Sequence, residues 1–149
     1  MDTTSGAGIA SEHTAAGMDD PSGKAGAVVT EYLTAFYTGD FDRAQAVVAP
    51  DFSFRGPFLQ VQGRDAFFAG AQGLQPIVRG HRLLHQWVDP GVDDVDNAEV
   101  CSIYDVTLET AAGAGSVPMS EWHTVRGGRL TAALVVFDAA AFRALLPPS

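Results

Sequence analysis

Glu121 and His123 lie two residues apart in the segment Ser120-Glu121-Trp122-His123-Thr124-Val125. In a strand, residues two apart share a face, so the carboxyl and the imidazole would point the same way. An imidazole titrates near neutrality, which suits proton transfer, and makes His123 the candidate proton shuttle. The carboxyl has two readings. In a dry pocket, burial favours its neutral, hydrogen-bond-donating form. Beside His123 or an arginine it is ionised and paired. His123 is open in the same way, as a shuttle or as a satisfied half-buried histidine.

Other chemistries find less support. His81 and His85 are four residues apart. In a strand that spacing separates them by about 13 Å, too far for one ion. No metal site is assigned. The acidic stretch Asp89-Pro90-Gly91-Val92-Asp93-Asp94-Val95-Asp96 lacks the glycine and glutamate spacing of a calcium loop and reads as a solvated turn. Cys101 reads as a small core residue. There is no nucleophile elbow, phosphate loop or dinucleotide fingerprint, and no cofactor is expected. The net charge of −9 disfavours nucleic acid and acidic lipid surfaces as partners. The lone cysteine makes a reducing compartment the default. The N-terminus has neither the basic region nor the apolar stretch of a secretory signal, and no apolar run is long enough to span a bilayer. The expected location is cytoplasmic.

The elements that must hold these groups are legible from periodicity. Residues 1 to 24 offer almost nothing apolar to bury beyond Ile9, and read as a disordered tail carrying an inert His13. Residues 25–149 read as one domain, and a hydrophobic content of 46% supports a sizeable core for it. A first helix is expected from near Ala25. Val29, Tyr32, Leu33, Phe36 and Tyr37 fall on one face of it, and Gly39 ends it. Asp40 caps a second helix burying Phe41, Ala44, Val47 and Val48, with Pro50 as its stop. Phe52 and Phe54 mark a short strand, and Gly63 to Gly73 a third helix that Pro76 closes. Four strands follow at His81 to Val88, Glu99 to Glu109, Val117 to Val125 and Leu130 to Phe137. Gly113 to Ser116 and the tight turn Gly127-Gly128 separate the later ones. Alternation faces Tyr104 inward with Val106 and Leu108, and Trp122 outward. Asp138 caps a last short helix. The order is α+β, with helices on one face of a mostly antiparallel sheet.

Two distant stretches carry a family likeness. One runs from Glu31-Tyr32-Leu33-Thr34-Ala35-Phe36-Tyr37-Thr38-Gly39-Asp40 through Arg55-Gly56-Pro57-Phe58 to Gly63-Arg64-Asp65-Ala66-Phe67; the other is Glu121-Trp122-His123-Thr124-Val125-Arg126-Gly127-Gly128-Arg129-Leu130. Together they resemble the nuclear transport factor two-like superfamily, which includes ketosteroid isomerases and SnoaL-like polyketide cyclases. The resemblance implies a cone: a curved, mostly antiparallel sheet wrapped around N-terminal helices, with a single apolar pocket. In the isomerases a tyrosine eight positions before the aspartate of a Gly-Asp pair donates to a developing oxyanion, and Tyr32 stands in that relation to Asp40. A protonated acid on the penultimate strand assists it, and Glu121 matches that position. That enzyme is a standard example of a carboxylic acid kept neutral by an apolar site. The isomerase base, an aspartate just before a Pro-Phe pair, is here Gly56, so ketosteroid isomerisation by the family mechanism is not expected. His123 is the replacement base.

The resulting expectation is a cofactor-independent acid–base enzyme of cyclase, isomerase or epoxide-hydrolase type, acting on a small apolar polyketide- or terpenoid-like molecule. Tyr32, Glu121 and His123 would be catalytic, with Phe36, Phe54, Phe58, Tyr104 and Phe137 forming the ligand wall. The alternative is a non-catalytic ligand-binding or dimerisation domain with the same pocket. The superfamily is often dimeric, and with the outward Trp122 this implies a homodimer.

Overall fold

A computed structural model of the chain describes residues 21–90 and 97–146. The expected tail, through residue 20, and the turn residues 91–96 lie outside the described residues. The elements are α1 (Pro21–Tyr37), α2 (Phe41–Gln45), β1 (Val48–Arg55), β2 (Gln60–Gln62), α3 (Arg64–Ala71), a 3-10 turn (Gln75–Ile77), β3 (Val78–Pro90), β4 (Ala98–Thr110), β5 (Gly113–Arg126), β6 (Arg129–Phe137) and α4 (Ala139–Leu145).

All six strands form one sheet in the order β2-β1-β6-β5-β4-β3. Only the β1–β6 pair is parallel. The helices lie on one face, with α1 against β3 and β4, and α3 against β1. This is the α+β cone the resemblance implied.

The first helix buries its predicted stripe: Val29, Tyr32, Leu33, Phe36 and Tyr37 are all in the core. It begins at Pro21, earlier than Ala25. Gly39 ends it at φ +83°, a left-handed conformation that glycine adopts without strain. Asp40 caps α2 by accepting from the Arg43 N–H at 3.2 Å. Phe36 is the hub between helices, its ring centroid 4.9–5.7 Å from those of Tyr32, Tyr37, Phe41 and Phe67. Aromatic pairs in this range add about 0.5–1.5 kcal/mol each beyond area burial.

Several other boundaries differ from expectation. The second helix stops at Gln45, and Val48 already belongs to β1. The Leu130 N–H donates to the Val47 carbonyl at 2.9 Å, so strand pairing captures residues whose apolar character suited either element. Pro50 is therefore not a helix stop. It sits in the irregular stretch between the Val48 and Ser53 pairings with β6, where a missing N–H breaks no ladder bond. Gly113 to Ser116 pair with Thr107–Thr110 inside β5, so the β4–β5 turn falls at Ala111-Ala112. The three-residue β2 is too short and polar to show a period. The last turn is as expected: Gly127 and Gly128 both have positive φ, +59° and +74°, the combination a two-residue hairpin needs. Asp138 accepts from the N–H groups of Ala140 and Ala141 and caps α4.

Candidate functional site

The site is set by the inner face of β5. Burial alternates strictly there, placing Val117, Met119, Glu121, His123 and Val125 inward and Trp122 outward. Antiparallel register sets Tyr104 of β4 opposite Met119 and Ser102 opposite Glu121. The Tyr104 side chain reaches diagonally to the carboxyl, and α1 lays Tyr32 and Tyr37 over the same patch.

A cavity of about 210 Å³ lies between these residues, α3 and the Gly56–Leu59 loop. Its lining includes Tyr32 and Glu121, together with all five residues expected as the ligand wall: Phe36, Phe54, Phe58, Tyr104 and Phe137. The residues expected from the sequence thus line one cavity, with one exception. His123 is fully buried and lies behind the wall rather than in it.

Glu121 is the centre of a buried polar chain. The Tyr104 hydroxyl donates to its Oε1 at 2.6 Å, and the hydroxyls of Tyr104 and Tyr37 are 3.0 Å apart. Its Oε2 is 3.3 Å from His123 Nε2. That approach is close enough for charge pairing but poorly aimed, and neither ring nitrogen of His123 makes a directed hydrogen bond. The Tyr32 ring meets the His123 ring edge-on, centroids 5.4 Å apart.

The electrostatics decide between the two readings of Glu121. Desolvation is the largest single influence on its carboxyl and acts to raise its pKa. The charge of His123, the contact with it and the Tyr104 hydrogen bond together outweigh burial, and the net result is below the ordinary carboxylate value. Glu121 is therefore held ionised. It accepts a hydrogen bond from Tyr104 rather than donating one, unlike the neutral acid that the isomerase resemblance implied. Its partner is His123, not an arginine. The phenols move the other way: Tyr32, Tyr37 and Tyr104 are raised above the usual phenol range, first by burial and then by the Glu121 charge. They remain neutral donors at every physiological pH.

Tyr37 is the residue the sequence did not single out. Its place on the apolar face of α1 suggested core alone, yet it extends the chain from Tyr104 and stacks on His81, centroids 5.3 Å apart. The position of the missing isomerase base is closed as well as bare. A Cβ on Gly56 would lie 2.7 Å from Val135 Cγ1 and 3.3 Å from the Phe54 ring. Among the described residues no three His, Cys, Asp or Glu side chains are grouped to hold a metal ion, and no helix is long and apolar enough to cross a membrane.

The architecture recurs in solved structures. A protein from Kribbella flavida is 28% identical with a TM-score of 0.65, over 78% of this chain and 88% of its own. A candidate polyketide cyclase from Xanthomonas campestris is 21% identical, TM-score 0.65, over 85% and 98%. Bal32a, from a soil-derived mobile gene cassette, is 19% identical, TM-score 0.68, over 82% and 95%. No curated protein matches the chain. The fold is that of the nuclear transport factor two-like superfamily. The SnoaL-like domain model matches residues 29–133, most of the described sheet and all of α2 and α3, and the chain belongs to that family.

Proposed function

We propose that the chain is a cofactor-independent acid–base enzyme of cyclase, isomerase or epoxide-hydrolase type, acting on a small apolar polyketide- or terpenoid-like metabolite. One observation carries this reading. The cavity is walled by aromatic and aliphatic groups, and the polar groups that interrupt it are an ionised carboxylate and tyrosine hydroxyls. A charge in such a place costs stability unless it is paired, and chemistry is the ordinary reason to keep one there. The likeness to candidate polyketide cyclases lends support.

The geometry suits proton transfer at carbon. Glu121 takes a proton from a carbon next to a carbonyl. The C–H electron pair moves into the new carbon–carbon double bond, and the carbonyl oxygen becomes an enolate. The Tyr32 hydroxyl, outside the Tyr37–Tyr104–Glu121 chain, donates to that oxygen. Glu121 returns the proton at a second carbon or after ring closure. His123 does not touch substrate in this scheme. It sits behind Glu121, its Nε2 3.3 Å from the Glu121 Oε2. The apolar outer face around Trp122 serves a homodimer.

The test is deuterium incorporation into a panel of small cyclic ketones and enones in D₂O, with an epoxide panel scored for hydrolysis. Tyr32→Phe should slow the reaction by about 10²–10³, the scale of losing one oxyanion donor. Full activity in Tyr32→Phe, or no reaction on either panel with wild-type protein, contradicts the proposal.

A further inference from the structure

The cavity meets solvent at the Gly56–Leu59 loop, where Phe58 and Leu59 line it and are each 42% exposed. Phe58 is fixed there by edge contacts to Phe137 and Phe142, both at 5.4 Å between centroids. On its ring rests the Arg143 guanidinium, 4.8 Å from the centroid. Five of the eight arginines have a carboxylate within 4 Å: Arg43, Arg64, Arg79, Arg82 and Arg126. Arg143 has none among the described residues. In a chain of net charge −9, a cation without a carboxylate at the rim of an apolar cavity is conspicuous.

The geometry points to a ligand with an apolar body and a carboxylate at one end, its body in the cavity and its carboxylate on Arg143. A guanidinium resting on a ring face keeps its N–H edge free, and that edge matches a carboxylate bidentately. Glu121 at the buried end fixes the orientation, because it repels the same carboxylate. The ligand therefore enters carboxylate-out and presents its apolar end to Glu121 and Tyr32. This inference rests on the ligand-cavity part of the proposed function and narrows it to small apolar acids.

The test uses 1-naphthaleneacetate and its neutral amide, which share one ring system and differ in charge. Binding is measured by calorimetry, and aromatic shifts of Phe58, Phe137 and Phe142 report the location by NMR. The acetate should bind about tenfold more tightly than the amide, the scale of one charge-assisted contact. Arg143→Gln should abolish that preference while changing amide affinity less than about twofold, and Arg143→Lys should restore part of it. Arg143 is exposed, so these variants do not disturb the core. Equal affinity for both compounds in wild-type protein, or a preference that survives Arg143→Gln, overturns the anion claim alone, provided the amide still shifts the cavity resonances. If neither compound shifts them, the ligand-cavity reading falls with it.

Discussion

The two faces of β5 invert the usual rule. Its inner face carries Glu121 and His123, both buried, and neither His123 nitrogen has a directed hydrogen bond. The outer face carries Trp122, 51% exposed, beside Trp87 at 51% and Val136 at 59%. Burying charge costs several kcal/mol per ion before pairing recovers part of it. Clustered exposed aromatics are likewise unfavourable until something covers them. Neither arrangement is what stability alone would select. The proposed chemistry inside the cone would account for the inner face, and the proposed homodimer for the outer face. The strand's period of two keeps these roles on opposite sides of one segment.

The largest expected effect separates the faces by activity. Glu121→Gln removes the cavity's charged acceptor and should cost at least about 10²–10³ in turnover. Trp122→Ala should leave the rate within about twofold, as expected of a surface position away from the chemistry. Comparable losses in both would erase the distinction. Association comes next. Static light scattering at micromolar concentration should give a dimer for the wild type. Trp122→Glu should weaken association by about tenfold or more, since it places a charge where an aromatic anchor was. A wild-type monomer would leave the outer face unexplained.

Stability sharpens the comparison on the inner side. Tyr104→Phe deletes the hydroxyl that bonds Glu121 at 2.6 Å and meets Tyr37 at 3.0 Å. Hydrogen bonds to charged groups contribute about 1.5–3 kcal/mol, so urea unfolding should show a loss of about 2 kcal/mol. A change below about 0.5 kcal/mol would mean the buried chain is not holding the carboxylate. The smallest effect is in pH. The folded-state pKa of Glu121 is lowered from 4.5. Its contribution to stability is thus fully present above that value and disappears as pH falls through the lower folded-state pKa. Thermal melts from pH 7 to 3 should show the wild type losing more stability than Glu121→Gln as acid is added. Parallel curves would contradict the direction of the shift.

Much of this was readable in the chain, and the gaps have physical causes. Parity alone placed Glu121 and His123 inward and Trp122 outward, because a strand leaves no freedom in that choice. The face of α1, the glycine end at Gly39, the Gly127-Gly128 turn and the Asp138 cap rest on equally local rules. The Tyr104–Glu121 bond did not, because it depends on register. Reading the β4–β5 turn at Gly113–Ser116 instead of Ala111-Ala112 moves every cross-strand partner. The distinction between a cavity-facing Glu121 and a His123 behind it depends on the depth of the cone, which spacing does not encode. The ionised state of Glu121 follows from that same packing, which brings the carboxyl to His123 and Tyr104.

The central claim is that an apolar cavity holds Glu121 as a carboxylate paired with His123. Carboxyl ¹³C NMR on protein labelled at glutamate Cδ, with Glu121→Gln supplying the assignment, reads this directly. The account predicts a Glu121 signal at the ionised position at pH 7, remaining there as the pH is lowered past 4.5, where an ordinary glutamate is half protonated. A Glu121 signal at the protonated position at pH 7 would contradict it and return the residue to the role of a neutral donor beside Tyr32.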